Sequence, residues 1–186
     1  MQKLALILLS SILLLTSPAL AAPICEGTTC TAQSAANTSG SYHVQAAVDA
    51  CIAAEACTTV IIPAGTVTWD KVVVVNPTDK GMTVTGQSRT SPHITATSGT
   101  KLFYFNLVTG DSHLTKVKLT GNAADCDVTL NGSWDKMRIS NIDWNGNSAR
   151  QIIVGMTFAD LDNRFYGSRQ IDHYKTLIDN IYFSVL

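Results

Sequence analysis

The stretch Tyr42–Gly86, YHVQAAVDACIAAEACTTVIIPAGTVTWDKVVVVNPTDKGMTVTG, decides how this chain is read. Its apolar positions Val44, Ala47, Val48, Cys51 and Ile52 recur at three and four residues, which makes one face of a short helix over Val44–Ala54. That period then stops. Val60-Ile61-Ile62 runs into a Pro63-Ala64-Gly65 corner, Val72–Val75 into Asn76-Pro77, and Met82-Thr83-Val84 into Gly86. A helix followed by short β-branched runs, each ended by turn residues, predicts a coiling sheet with the helix covering one end.

A degenerate repeat extends the rhythm through the second half. GMTVTGQ (Gly81–Gln87), KVKLTGN (Lys116–Asn122), NIDWNGN (Asn141–Asn147) and NIYFSVL (Asn180–Leu186) each carry alternating apolar residues. Their starts lie 35, 25 and 39 residues apart, uneven spacings that outward loops of different length accommodate. In Met137-Arg138-Ile139-Ser140 the alternation predicts Met137 and Ile139 inside, with Arg138 and Ser140 outside. Leu177–Phe183 suits a strand or a helix. An Ig-like sandwich is the alternative for short strands at this spacing, although it does not account for a helix before the first strand.

The residues VQAAVDACIAA (Val44–Ala54) and VIIPAGTVTW (Val60–Trp69) resemble the opening of the pectate-lyase-like superfamily. The resemblance implies an all-β fold, a single-stranded right-handed parallel β-helix with a short N-terminal capping α-helix. Arg138–Trp144 (RISNIDW) and Arg169–His173 (RQIDH) are similar to strand motifs of that family. The domain reading is then residues 1–21 as signal peptide, 22–41 as an N-terminal extension and 42–186 as the β-helix domain. The closing strand pattern Ile181–Leu186 has no polar capping segment after it, so the expectation is an N-terminal portion whose further coils are missing.

The signal reading rests on Lys3, the apolar run Leu4–Leu15 and the small-residue site at Ala19–Ala21. It predicts a secreted or periplasmic product with no membrane span. The formal net charge of −1 and a charged fraction of 15% point away from nucleic acid and anionic membranes. Of five cysteines, the close pairs Cys25/Cys30 and Cys51/Cys57 are the expected disulfides, since export permits them and their loops close locally. Cys126 is left over, as a small buried hydrophobe or a free thiol. No CxxC occurs and the four histidines have no ligand spacing, so no metal-ligand set is assigned.

For chemistry, a lyase needs a cation beside the uronate carboxylate and a base to take the adjacent proton. Arg138, Arg169 and Lys175, with Asp143 or Asp172, are the candidates, and Asp143 with Asp172 would be the carboxylate pair of a glycoside hydrolase. The catalytic set is therefore Arg138, Asp143, Arg169 and Asp172, and the substrate-binding set is Trp134, Trp144, His173 and Lys175, the tryptophans as stacking faces for sugars. Asp125, Asp127, Asp143, Asp160 and Asp162 offer oxygens to calcium, the one cofactor the resemblance suggests, yet they form no DxDxDG loop and read equally as solvated faces. Asn141 and Asn180 read as ladder amides at corners, and Asp172-His173 as a surface pair. Two functions follow. One is a polysaccharide-binding or polysaccharide-degrading protein, acting on a polyuronate and lyase-like. The other is a non-catalytic adhesin or carbohydrate-binding surface protein.

Overall fold

A computed structural model describes residues 22–77, 79–107, 110–122, 127–132, 136–146, 152–154 and 176–183. The signal-peptide residues lie outside that set, as do Asp125, Cys126, Trp134, Asp160, Asp162, Arg169, Asp172, His173 and Lys175.

Two antiparallel hairpins come first: β1 (Ile24–Glu26) with β2 (Thr29–Thr31), and β3 (Asn37–Thr38) with β4 (Ser41–Tyr42). Helix α1 (His43–Ala53) follows at the predicted place. Its apolar face is the expected one: Val44, Ala47, Val48 and Cys51 are buried and Ile52 is half-buried against the core. Tyr42 supplies no side-chain cap, and distant residues satisfy the helix ends instead. Buried Asn37 accepts from the Gln45 N–H at 3.1 Å, while Lys80 Nζ donates to the carbonyls of Cys51 and Ala54 at 2.8 and 2.7 Å.

The strands after the helix are β5 (Thr59–Ile62), β6 (Thr66–Trp69), β7 (Val73–Val75), β8 (Thr83–Gly86), β9 (His93–Ala96), β10 (Phe103–Leu107), β11 (Asp111–Gly121), β12 (Val128–Gly132), β13 (Lys136–Gly146), β14 (Ile152–Val154) and β15 (Thr176–Phe183). Leu177–Phe183 is thus a strand. Among the described residues, one sheet of nine strands has the order β1-β2-β5-β8-β11-β13-β15, with β6 and β9 joined beside β11. A second sheet has the order β14-β12-β10-β7. Long strand β11 pairs with β8 through His113–Thr115 and with β9 through Lys118–Thr120, so one strand serves two arms. Between the arms the chain turns at Lys116, and β13 turns opposite it at Asn141, both at φ 55°. Asparagine tolerates that left-handed conformation better than most residues. Gly86 is required nearby, because a Cβ there would fall on the Lys116 carbonyl.

The inner faces stack in register. Val60, Val84, Leu114 and Ile139 form one buried row, and Val75, Phe105 and Leu130 form another in the second sheet. Trp69 closes the space between the sheets, edge-on to Phe103 at 5.3 Å, with its indole N–H on the Ala35 carbonyl at 2.7 Å.

This architecture corrects the expected fold and the superfamily resemblance. The main sheet is mixed, with an antiparallel β1–β2 pair at its edge and a separate antiparallel β3–β4 ribbon, and it curls into a half-barrel. It is not a single right-handed parallel β-helix under a capping helix. The physical reason lies in residues 22–41, whose short polar turns bring strands back on themselves. Strand-and-turn rhythm in the later sequence says how often the chain bends but not which neighbour each strand pairs with.

Candidate functional site

Alternation in a strand sends every second side chain outward, and parallel registration lines those side chains into rows about 4.8 Å apart from strand to strand. On one arm the outward register positions are Thr59, Thr83, His113 and Arg138; two residues further along lie Thr85 and, buried at the corner, Thr115 and Ser140. On the other arm they are Thr66, His93, Lys118 and Asp143, with Thr68, Thr95 and Thr120 beside them. The result is a face built of hydroxyls, two imidazoles, two cations and one carboxylate.

These side chains hold one another. His93 Nε2 lies 2.8 Å from Thr120 Oγ1, and Lys118 Nζ is 3.6 Å from Asp143 Oδ2. Partial burial pushes the His93 pKa below its usual 6.5, the Lys118 charge lowers it further, and Asp143 opposes both. Across the corner, His113 Nε2 is 2.7 Å from Ser140 Oγ. Thr115 Oγ1 is 3.3 Å from that same oxygen, and the Asn141 amide donates toward Ser140 at 3.4 Å and Thr115 at 3.5 Å.

An imidazole on a hydroxyl is the beginning of a nucleophile–base pair, but Ser140 is fully buried. Its oxygen is spent on His113, Thr115 and Asn141, so no reacting carbon reaches it. The expectation of an outward, open Ser140 fails because it sits in the angle where β13 turns. Arg138, two positions earlier, is exposed as expected, while Met137 and Ile139 are buried.

Asp143 lies in the row beside Lys118. Trp144, expected to present a stacking face, is 2% exposed and donates its indole N–H to buried Asp127 at 2.8 Å. Its alternation makes it inward. Of the five aspartates weighed for calcium, Asp127 accepts the Trp144 indole N–H and Asp143 pairs with Lys118, while Asp125, Asp160 and Asp162 lie outside the described residues. Trp134, Arg169, Asp172, His173 and Lys175 fall outside the described residues.

The expected asparagine ladder exists elsewhere. Asn131 donates to Asn106 at 3.0 Å, and Asn106 to Asn76 at 3.1 Å, at the ends of β12, β10 and β7. Asn141 instead takes the left-handed corner. The sequence reasoning missed His93, His113, Lys118 and the threonine rows. Their signal was present in the alternations Thr66-Val67-Thr68, Thr83-Val84-Thr85 and His93-Ile94-Thr95.

Both expected disulfides are formed, Cys25–Cys30 across the β1–β2 hairpin and Cys51–Cys57 between α1 and the approach to β5. Among the described residues no helix is long and apolar enough to cross a membrane. Compared with family models, with curated proteins and with solved structures, the chain finds no match in any of the three.

Proposed function

We propose that this is an exported, non-catalytic polysaccharide-binding protein, which lays the polar face of its curled sheet along an acidic glycan. The observation carrying the reading is the aligned outward row His93, Lys118 and Asp143 together with His113 and Arg138, set among threonine hydroxyls at strand spacing. A glycan offers hydroxyls at short regular intervals, and side chains repeating along a rigid sheet meet them without loops to order. Lys118 and Arg138 suit the carboxylates of a polyuronate, and His93, held largely neutral at pH 7, exchanges hydrogen bonds with sugar hydroxyls.

Binding without cleavage is favoured because the imidazole–hydroxyl pair His113–Ser140 is closed to substrate and Asp143 lies against a cation. Export accords with two disulfides, which persist in oxidising compartments.

Affinity electrophoresis of the purified chain through gels containing polygalacturonate, alginate or a neutral glucan tests the reading. Retardation by the polyuronates, weakened by salt and reduced about tenfold in affinity by Lys118→Ala with Arg138→Ala, is the expected result. Equal mobility in all gels would remove it. Release of unsaturated uronates, followed by ultraviolet absorbance with and without calcium, separates binding from cleavage, and robust turnover would make the protein an enzyme.

A further inference from the structure

Four cysteines of the N-terminal end lie in one place. Strands β2 and β5 run side by side with Cys30 opposite Val60, and the N–H groups of Thr58 and Thr59 both donate to the Thr28 carbonyl at 3.0 Å. That ladder draws the Cys57 turn against the hairpin. The Sγ atoms of Cys30, Cys51 and Cys57 all lie within 4.8 Å of one another, although Cys30 belongs to one disulfide and the other two form the second. Burial divides the set. Cys30, Cys51 and Cys57 are buried, and Cys25 is exposed on strand β1.

We infer that the two disulfides form a thiol–disulfide exchange site, with Cys25 as the sulfur that accepts the thiolate of a low-molecular-weight thiol and Cys30 as the sulfur that passes the exchange inward. Attack requires access, so an incoming thiolate meets Cys25 and not its buried partner. Its sulfur bonds to Cys25 Sγ, the Cys25–Cys30 bond breaks, and the electron pair leaves on Cys30. A thiolate in apolar surroundings is disfavoured. Its neighbours are the sulfurs of the second disulfide. Cys30 then bonds to Cys51 or Cys57, and the other of those two leaves as a thiolate that takes a proton from solvent. The Thr59 carbonyl is 3.8 Å from Cys51 Sγ and 3.6 Å from Cys57 Sγ, so whichever becomes the thiol has an acceptor waiting. Each step breaks one S–S bond and forms one, with no net oxidation, and the product carries the small thiol on Cys25. The bridge has moved from the hairpin to a tie from β2 to the helix end at Cys51 or to the approach to β5 at Cys57.

Non-reducing peptide mapping of the folded full chain, in a Cys126→Ser background and after rapid alkylation, tests this. With reduced glutathione as the probe, the adduct on Cys25 and a Cys30–Cys51 or Cys30–Cys57 peptide should rise together. A Cys25→Ser variant needs no glutathione: Cys30 is already a thiol there, and bridges from Cys30 to Cys51 or Cys57 should appear beside Cys51–Cys57. Cys30→Ser should lose every such crossing while keeping Cys51–Cys57 intact. Glutathione that merely opens Cys25–Cys30, with Cys51–Cys57 the sole bridge left in wild type and in Cys25→Ser, would overturn the inference.

Discussion

The N-terminal end and the polar face of the arms obey the same alternation and use it in opposite ways. In residues 24–62 the inward residues Cys30, Val60 and Ile62 meet Val44, Ala47, Val48 and Cys51 of the helix, and two disulfides add covalent ties. On β9, β11 and β13 the outward residues carry the information: His93, Lys118, Asp143, His113 and Arg138 lie over a core of ordinary aliphatic rows. The first region is held by burial and disulfides, neither of which titrates near neutral pH. The second is held by hydrogen bonds and by the Lys118–Asp143 ion pair near water, each worth little by itself. Damage to the first should therefore be read as lost stability, and damage to the second as altered titration or binding.

The sharpest way to break that comparison is Val48→Asp. The new carboxylate would be buried among apolar side chains without a partner, so unfolding free energy should fall by about 4 kcal/mol. Denaturant unfolding measures it, and an unchanged midpoint would mean that α1 does not cover the core. Trp69→Ala comes next, with an expected loss of about 3 kcal/mol from lost burial and the cavity left between the sheets. Trp69→Phe keeps most of the packing but orphans the Ala35 carbonyl, and should cost about 1 kcal/mol. A loss from Trp69→Phe as large as that from Trp69→Ala would assign the role to the hydrogen bond instead of the ring.

Replacing Cys51 and Cys57 together by serine should cost about 2 kcal/mol, because so short a loop restricts the unfolded chain modestly. Thermal melts under oxidising and reducing conditions check this: the variant should melt at the same temperature in both apart from the contribution of Cys25–Cys30.

The smallest effect sharpens the outer face. The folded His93 pKa lies below 6.5, so the unfolded state takes up a proton that the folded state resists. The stability linked to this group is fully present above 6.5 and falls as pH drops from there through the folded value. An NMR titration should place the His93 midpoint below 6.5, moving up in Lys118→Met and further down in Asp143→Asn. His93→Gln should remove the part of the stability loss that sets in as pH falls below 6.5. A His93 midpoint at or above 6.5 would separate this histidine from its row.

Legibility differed between the same two regions. The helix face, the paired cysteines and the buried Met137 and Ile139 follow from local spacing, and each stands where the spacing put it. The polar site was partly legible. Arg138 and Asp143 lie on the outer rows, but Trp144 obeys its inward phase and is buried on Asp127. His93 and His113 looked scattered because β9 and β11 are separated in the chain, and only pairing brings His93 beside Lys118.

By itself, then, the amino-acid order left Leu177–Phe183 open between strand and helix and gave no strand in residues 22–41. It determined the helix and the β-branched strands that follow it, the apolar side of Met137–Ser140, and which cysteines are close enough along the chain to bridge. Those are properties of neighbours within a few residues, governed by period, turn chemistry and loop length. Tertiary structure decided that residues 22–41 return as antiparallel hairpins, that the sheet is mixed and curled, that Ser140 is closed off in a corner, and that Cys30 lies against Cys51 and Cys57. Each depends on which distant strand comes alongside, and strand pairing is set by the burial of whole faces, a quantity that exists only once the chain has closed on itself.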